Sequence, residues 1–124
     1  MVRVHVVSDI HGRTDGLAEA GAGADVLLCL GDLIAFVDYE DPRGGIVGTL
    51  FGAAAVGRFV ELRALRRHAE ARAHIRALWD SLGDRREAIV GAAVHEQYAE
   101  VTTALSGSEA PVLVTYGNVD RPLL

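Results

Sequence analysis

Lysine is absent: all twelve basic residues of this 124-residue chain are arginine. We read that as genome composition, rich in G and C, with no mechanistic content. Acidic residues outnumber them at seventeen, for a net charge of −5 with histidine neutral. That balance excludes a protein that lives by coating nucleic acid, which needs a strongly basic face. A single cysteine, Cys29, excludes an internal disulfide. It lies in the apolar run 26–30 (VLLCL) with no histidine near it in sequence, and reads as a buried small hydrophobe. Aromatics make up only 6% of a chain that is 50% hydrophobic, so an aliphatic, alanine-rich core is expected. No apolar run approaches the roughly 20 residues a membrane-crossing helix needs. The N-terminal VRVHV has neither the basic nor the apolar region of a leader peptide, so the expected location is cytoplasmic. No G-x-G-x-x-G or G-x-x-x-x-G-K-[ST] follows a strand-like run, which speaks against a nucleotide-binding doubly wound domain.

What is present is organised around residues 2–12, VRVHVVSDIHG. Branched residues at every second position predict a strand, and Asp9 and His11, two apart at its C-terminal end, are expected on one side of it as a metal-ligand pair. Two later runs end in the same way. Residues 26–30 run into Gly31-Asp32, and 112–115 (VLVT) into Tyr116-Gly117-Asn118-Val119-Asp120. Ligand chemistry in open α/β sheets gathers outside the carboxyl ends of strands, so a parallel sheet would set Asp9, His11, Asp32 and Asn118 side by side. Oxygen donors with an imidazole suit Mn²⁺, Fe or Zn²⁺. Asp32, able to use both oxygens, is the natural bridge between two ions. Two such ions about 3.5–4 Å apart clamp a phosphate and activate a water for in-line attack.

Between these ends, residues 13–24 predict a short helix capped at Thr14 or Asp15, forming a parallel βαβ unit. Residues 32–57 start acidic, turn at Pro42-Arg43-Gly44-Gly45, and continue as an apolar glycine-spaced stretch, either a packed flexible lid or the start of a helix. A helix is predicted over 58–82, with Leu62, Leu65, Ala69, Ile75, Leu78, Trp79 and Leu82 near one stripe. Gly83-Asp84 breaks it, and a second helix over 85–105 carries Val90, Val94, Tyr98, Val101 and Leu105. The two are expected as an antiparallel pair within a mainly helical insertion over 42–106. Length and composition indicate one domain.

The motifs Asp9-Ile10-His11-Gly12, Gly31-Asp32 and Gly117-Asn118-Val119-Asp120, in this order, resemble the D-x-H, G-D and G-N-x-[DE] motifs of the calcineurin-like metallophosphoesterases. The resemblance implies a four-layer α-β-β-α sandwich, of which this chain would be the parallel-strand half. It implies two divalent ions, Mn²⁺ first, with Fe, Zn²⁺ and Ni²⁺ as alternatives. Asp9 and His11 would bind the first ion, Asp32 would bridge, Asn118 would bind the second, and Asp120 would orient the site. The implied activity is phosphoester hydrolysis with a metal-bound hydroxide as nucleophile, in which Asp32, Asn118 and Asp120 form the catalytic set.

Two departures narrow it. Val119 stands where many members carry a catalytic histidine, which points to a phosphodiester substrate over a monoester. The chain ends four residues after Asp120, before the family's later histidine and G-H-x-H, so a fragment of a longer protein is expected. A partner supplying the missing half is the other expectation. Open strand edges and apolar helix faces predict self-association.

Blander readings stand beside these. Gly31-Asp32 and Gly117-Asn118 are each turn signals taken singly. Asp9 and His11 could be a capping pair at a strand end. His5 reads as an edge or buried histidine, and His68, His74 and His95 as residues of solvated helix faces. Arg58, Arg63, Arg66, Arg67, Arg72 and Arg76 read as a solvated face, or as a surface for an anionic substrate or lipid headgroups. The competing function is a non-catalytic interaction module on the same scaffold, with no specific nucleic-acid partner and no membrane contact.

Overall fold

The structure of the chain, a computed structural model, describes residues 1–117 and 120. It is mixed α/β, with four α-helices and a three-stranded parallel sheet among the described residues. The chain divides into two compact units, one made of Met1–Ala35 with Val94–Leu124 and the other of Phe36–Ala93.

The first unit holds the sheet. Strands β1 (Val4–Val7), β2 (Val26–Cys29) and β3 (Val112–Val114) lie in the order β1-β2-β3, all parallel. Val4 pairs with Val26 and Val7 with Cys29, while Leu27 pairs with Val112 and Cys29 with Val114. The β-branched residues that suit a pleated surface place these strands where the sequence reading puts them. The central strand supplies the core, since Leu27 and Cys29 are fully buried. Ile10, Leu17, Leu33, Ile34, Val94, Val101 and Leu105 are buried with them.

The helix expected over 13–24 is instead a single 3₁₀ turn, Glu19–Gly21, anchored by buried Leu17. Three glycines within those twelve residues, Gly16, Gly21 and Gly23, leave too little helix propensity to propagate a turn.

In the second unit α1 (Gly45–Phe51) buries Ile46 and Val47, so the apolar stretch after Pro42 is a packed helix. Helix α2 (Ala53–Ala64) buries Val56 and Leu62, and α3 (His68–Asp80) buries Ala71. The single helix expected over 58–82 is therefore broken between α2 and α3. The break is a Schellman-type end: Arg66 is in the left-handed region at φ 58°, its N–H donates to Arg63 O (3.0 Å), and Arg67 N–H donates to Leu62 O (2.9 Å). Arginine at a position that usually takes glycine hid this stop. Trp79 meets Phe36 and Phe51 edge to face, with ring centroids 6.4 and 5.6 Å apart. The break foreseen at Gly83-Asp84 is the 3₁₀ turn Gly83–Arg85.

Helix α4 (Arg86–Ser106) follows; its residues from Val94 belong to the first unit, where Val94, Val101 and Leu105 are buried. No helix among the described residues is long and apolar enough to cross a membrane.

Candidate metal centre

The β1 and β2 ends stay zipped together past the strands. Leu30 N–H donates to Val7 O (2.9 Å), Asp9 N–H to Gly31 O (3.2 Å), His11 N–H to Asp32 O (2.8 Å) and Gly12 N–H to Leu33 O (2.8 Å). Buried Ile10, Leu33 and Ile34 pin both loops from beneath. The side chains left on top are Asp9, His11 and Asp32, each offering one ligand atom within 4.8 Å of the others. Their meeting does not come from strand alternation, because β1 ends at Val7. Instead Asp9, His11 and Asp32 each take the left-handed conformation, at φ 54°, 48° and 50°. Asp and His tolerate that region better than most side chains, yet it costs of order 1 kcal/mol or more per residue and clusters at functional sites.

The imidazole is oriented. His11 Nδ1 lies 3.2 Å from Ile34 O, and a carbonyl can only accept, so Nδ1 is the donor there and the ring orientation is set. Nε2 in turn lies 3.5 Å from Asp9 Oδ1. A carbonyl holding the distal ring nitrogen is the usual outer support of a metal-ligating histidine. Asp9 Oδ2 accepts from the Ser8 hydroxyl at 2.9 Å, which fixes that carboxylate. Two carboxylates and one imidazole, part-exposed, match a hard to borderline divalent cation with open positions for water.

The two glycines before Asp32 and Asn118 are needed for contact. A Cβ on Gly31, at φ 93°, would come 2.3 Å from Gly117 N, and one on Gly117 would come 2.2 Å from Asp32 Oδ1. The loops after β2 and β3 thus touch backbone to backbone, and Gly117 lies directly against the Asp32 carboxylate.

Asp120 is not in the cluster. It is 7% exposed and works as a tie. Its Oδ1 accepts from Leu33 N–H (2.7 Å) and Tyr98 O–H (3.3 Å), and its Oδ2 from Gly117 N–H (2.7 Å). One buried carboxylate so binds the β2 loop, the β3 loop and α4. Asn118, expected to bind the second ion, lies outside the described residues, as does Val119.

Sequence reasoning missed Gln97. Its amide makes two hydrogen bonds to Ala35, accepting from N–H at 2.7 Å and donating to C=O at 3.1 Å, and lies close over Gly12. It therefore holds the loops after β1 and β2 together from α4. The signal was a polar residue one turn after Val94 inside an apolar stripe. The other histidines stay apart from the cluster: His5 Nδ1 bonds Ala20 O (2.8 Å), His74 Nε2 bonds Ala55 O (2.8 Å), and His68 and His95 are exposed. Half-buried His74 thus departs from the solvated face expected of it. Burial pushes the Cys29 thiol up, with the Asp120 charge adding to it against a hydrogen bond from the Gly31 backbone. A buried thiol of that kind makes no nucleophile.

Comparison with protein-family models, with curated proteins and with solved structures finds no match for this chain.

Proposed function

We propose that this chain belongs to a metal-dependent phosphoester hydrolase of the calcineurin-like kind, acting on phosphodiesters, with its sheet as the parallel half of an α-β-β-α sandwich. The observation that carries the reading is the convergence of Asp9, His11 and Asp32 at two adjacent parallel strand ends, with ligand atoms within 4.8 Å of one another. The arrangement agrees with the motif order, in which Asp9 and His11 hold one divalent ion, Mn²⁺ by first choice, and Asp32 is shared with a second held by Asn118.

Bound there, such ions supply charge to a phosphate and lower the pKa of a water. The protein's own part is positional. Ile34 O accepts from His11 Nδ1 and fixes the ring with Nε2 toward Asp9, and Asp9, His11 and Asp32, each in the left-handed region, bring their ligand atoms together. Asp120 ties the two loops beneath Asp32. Valine at 119, where many members of that family carry histidine, favours a diester by the same resemblance. A cytoplasmic setting accords with a lone, buried, unpaired cysteine.

A second reading, a non-catalytic interaction module, is favoured by the exposed apolar residues Val4, Val6 and Leu113 on the sheet. Hydrolysis of bis(p-nitrophenyl) phosphate by the chain and by Asp32→Ala, with and without Mn²⁺, separates the two. Mn²⁺-dependent release that disappears in Asp32→Ala supports the hydrolase. Mn²⁺-dependent release that is equal in both proteins overturns the site at Asp32, and no release from either leaves the chain as an incomplete half-site or the module.

A further inference from the structure

The peptide between Ile34 and Ala35 is held at both ends. Its carbonyl, Ile34 O, accepts from His11 Nδ1 at 3.2 Å, and its N–H, on Ala35, donates to Gln97 Oε1 at 2.7 Å. A trans peptide is flat, with its C=O and N–H pointing in opposite directions. Fixing one end therefore fixes the other. The Gln97 side chain, the 34–35 peptide and the His11 ring form one chain of hydrogen bonds running from α4 into the candidate metal centre.

Gln97 is itself held against rotation. Its Nε2 donates to Ala35 O at 3.1 Å, so the amide cannot flip without losing both bonds. The amide also lies over Gly12, the residue after His11, where a Cβ would come 3.1 Å from Oε1. Gly12 is left-handed at φ 74°, and its N–H donates to Leu33 O. One side chain so touches the backbone that follows His11 and the peptide that its ring faces. Ile34 and Ala35 are buried, at 0 and 6% exposure, so water does not replace the amide at the Ala35 N–H. The His11 side chain, 40% exposed, is only partly enclosed by packing, and its direction depends on the bond to Ile34 O.

We infer that Gln97 is a positioning residue for His11: it holds the 34–35 peptide in the plane that turns the imidazole toward Asp9 and Asp32, and so sets from α4 how tightly the centre takes a divalent ion. The inference rests on the metal-centre reading. Hydrogen bonds in a chain polarise one another, so the Gln97 bond also strengthens the hold of Ile34 O on the ring. Groups that orient a metal-ligating histidine are worth about ten- to a hundredfold in metal affinity. Coupling of this kind is reciprocal. An ion that fixes His11 steadies the peptide and, through it, the Ala35 N–H.

The test compares Gln97→Met, which keeps the side chain's length and removes both polar atoms, with Val101→Ala, a buried truncation elsewhere in the same helix that serves as the control for lost stability alone. Two readouts are taken: the ring ¹⁵N shifts of metal-free His11 at about pH 8, above the ordinary imidazole pKa, and Zn²⁺ affinity by calorimetry. Gln97→Met is expected to move the His11 ring resonances and to weaken Zn²⁺ at least about tenfold, and Val101→Ala to change neither. In the native chain, Zn²⁺ is expected to slow hydrogen exchange at the Ala35 amide, a readout that needs no substitution. Unmoved ring resonances or native Zn²⁺ affinity in Gln97→Met overturn the proposal. So do equal effects from Val101→Ala, or bound Zn²⁺ that leaves Ala35 exchange unchanged. A native chain that takes up no Zn²⁺ overturns the metal-centre reading instead, and a moved His11 ring in Gln97→Met then still supports the placing of His11 by Gln97.

Discussion

Replacing Asp120 by alanine removes the acceptor for three donors at once: Leu33 N–H and Gly117 N–H, each at 2.7 Å, and Tyr98 O–H at 3.3 Å. Leu33 is buried, so its N–H loses its partner with no water to replace it. A buried donor left unsatisfied costs about 1–3 kcal/mol, and hydrogen bonds to a charged group lie toward the upper part of their range. Gly117 is half-buried and Tyr98 is at the long end of hydrogen bonding, so these two add less. The sum is about 3–4 kcal/mol, a large share of the roughly 5–15 kcal/mol that holds a domain of this kind together. Asp120→Asn keeps one acceptor but turns an amide donor toward a backbone N–H, and is expected to cost about 1–2 kcal/mol. Urea denaturation read by circular dichroism checks this, with the midpoint falling while the slope stays constant. An alanine variant within about 0.5 kcal/mol of the native chain would refute the view of Asp120 as the tie between strand ends.

Gly117→Ala places a Cβ 2.2 Å from Asp32 Oδ1 and 2.6 Å from Asp32 N; Mn²⁺ affinity measured by titration calorimetry should fall at least about tenfold as the Asp32 carboxylate is displaced. Gly57→Ala, in the body of α2 with nothing near its Cβ, should leave that affinity unchanged and raise stability slightly, by about 0.5–1 kcal/mol. Burial raises the Cys29 thiol above its ordinary 9.0, so the thiol is held neutral in the fold. Its contribution to stability is full below that ordinary value and is lost as pH rises through the folded one. Urea midpoints between pH 8 and pH 10 should fall less steeply for Cys29→Ala than for the native chain, and equal slopes would contradict the assignment.

The strands were legible because β-branched alternation and acidic ends coincide at 2–12, 26–30 and 112–115, and tertiary packing did not override them. The candidate ligands were legible as residue types at strand ends. The way they meet was not, because it depends on left-handed backbone at Asp9, His11 and Asp32, which alternation does not encode. The stop between α2 and α3 was invisible for the same reason: Arg66 takes a glycine's conformation while the apolar stripe of Leu62, Leu65 and Ala69 runs straight through. Residues 13–24 show the reverse error. There an N-cap and a short apolar patch suggested a helix, and three glycines defeated it. Gln97 and Tyr98 act on the loops through tertiary contacts that no local pattern announces.

The most direct test of the central claim is Mn²⁺ titration of the intact chain by calorimetry and by NMR of ¹⁵N-labelled histidine, beside His11→Ala and Asp32→Ala. One saturable event that broadens His11 Nε2 before His5, His68, His74 or His95, and that both substitutions abolish, is the expected result. No saturable binding, or binding that survives both substitutions, would contradict a metal centre at the ends of β1 and β2.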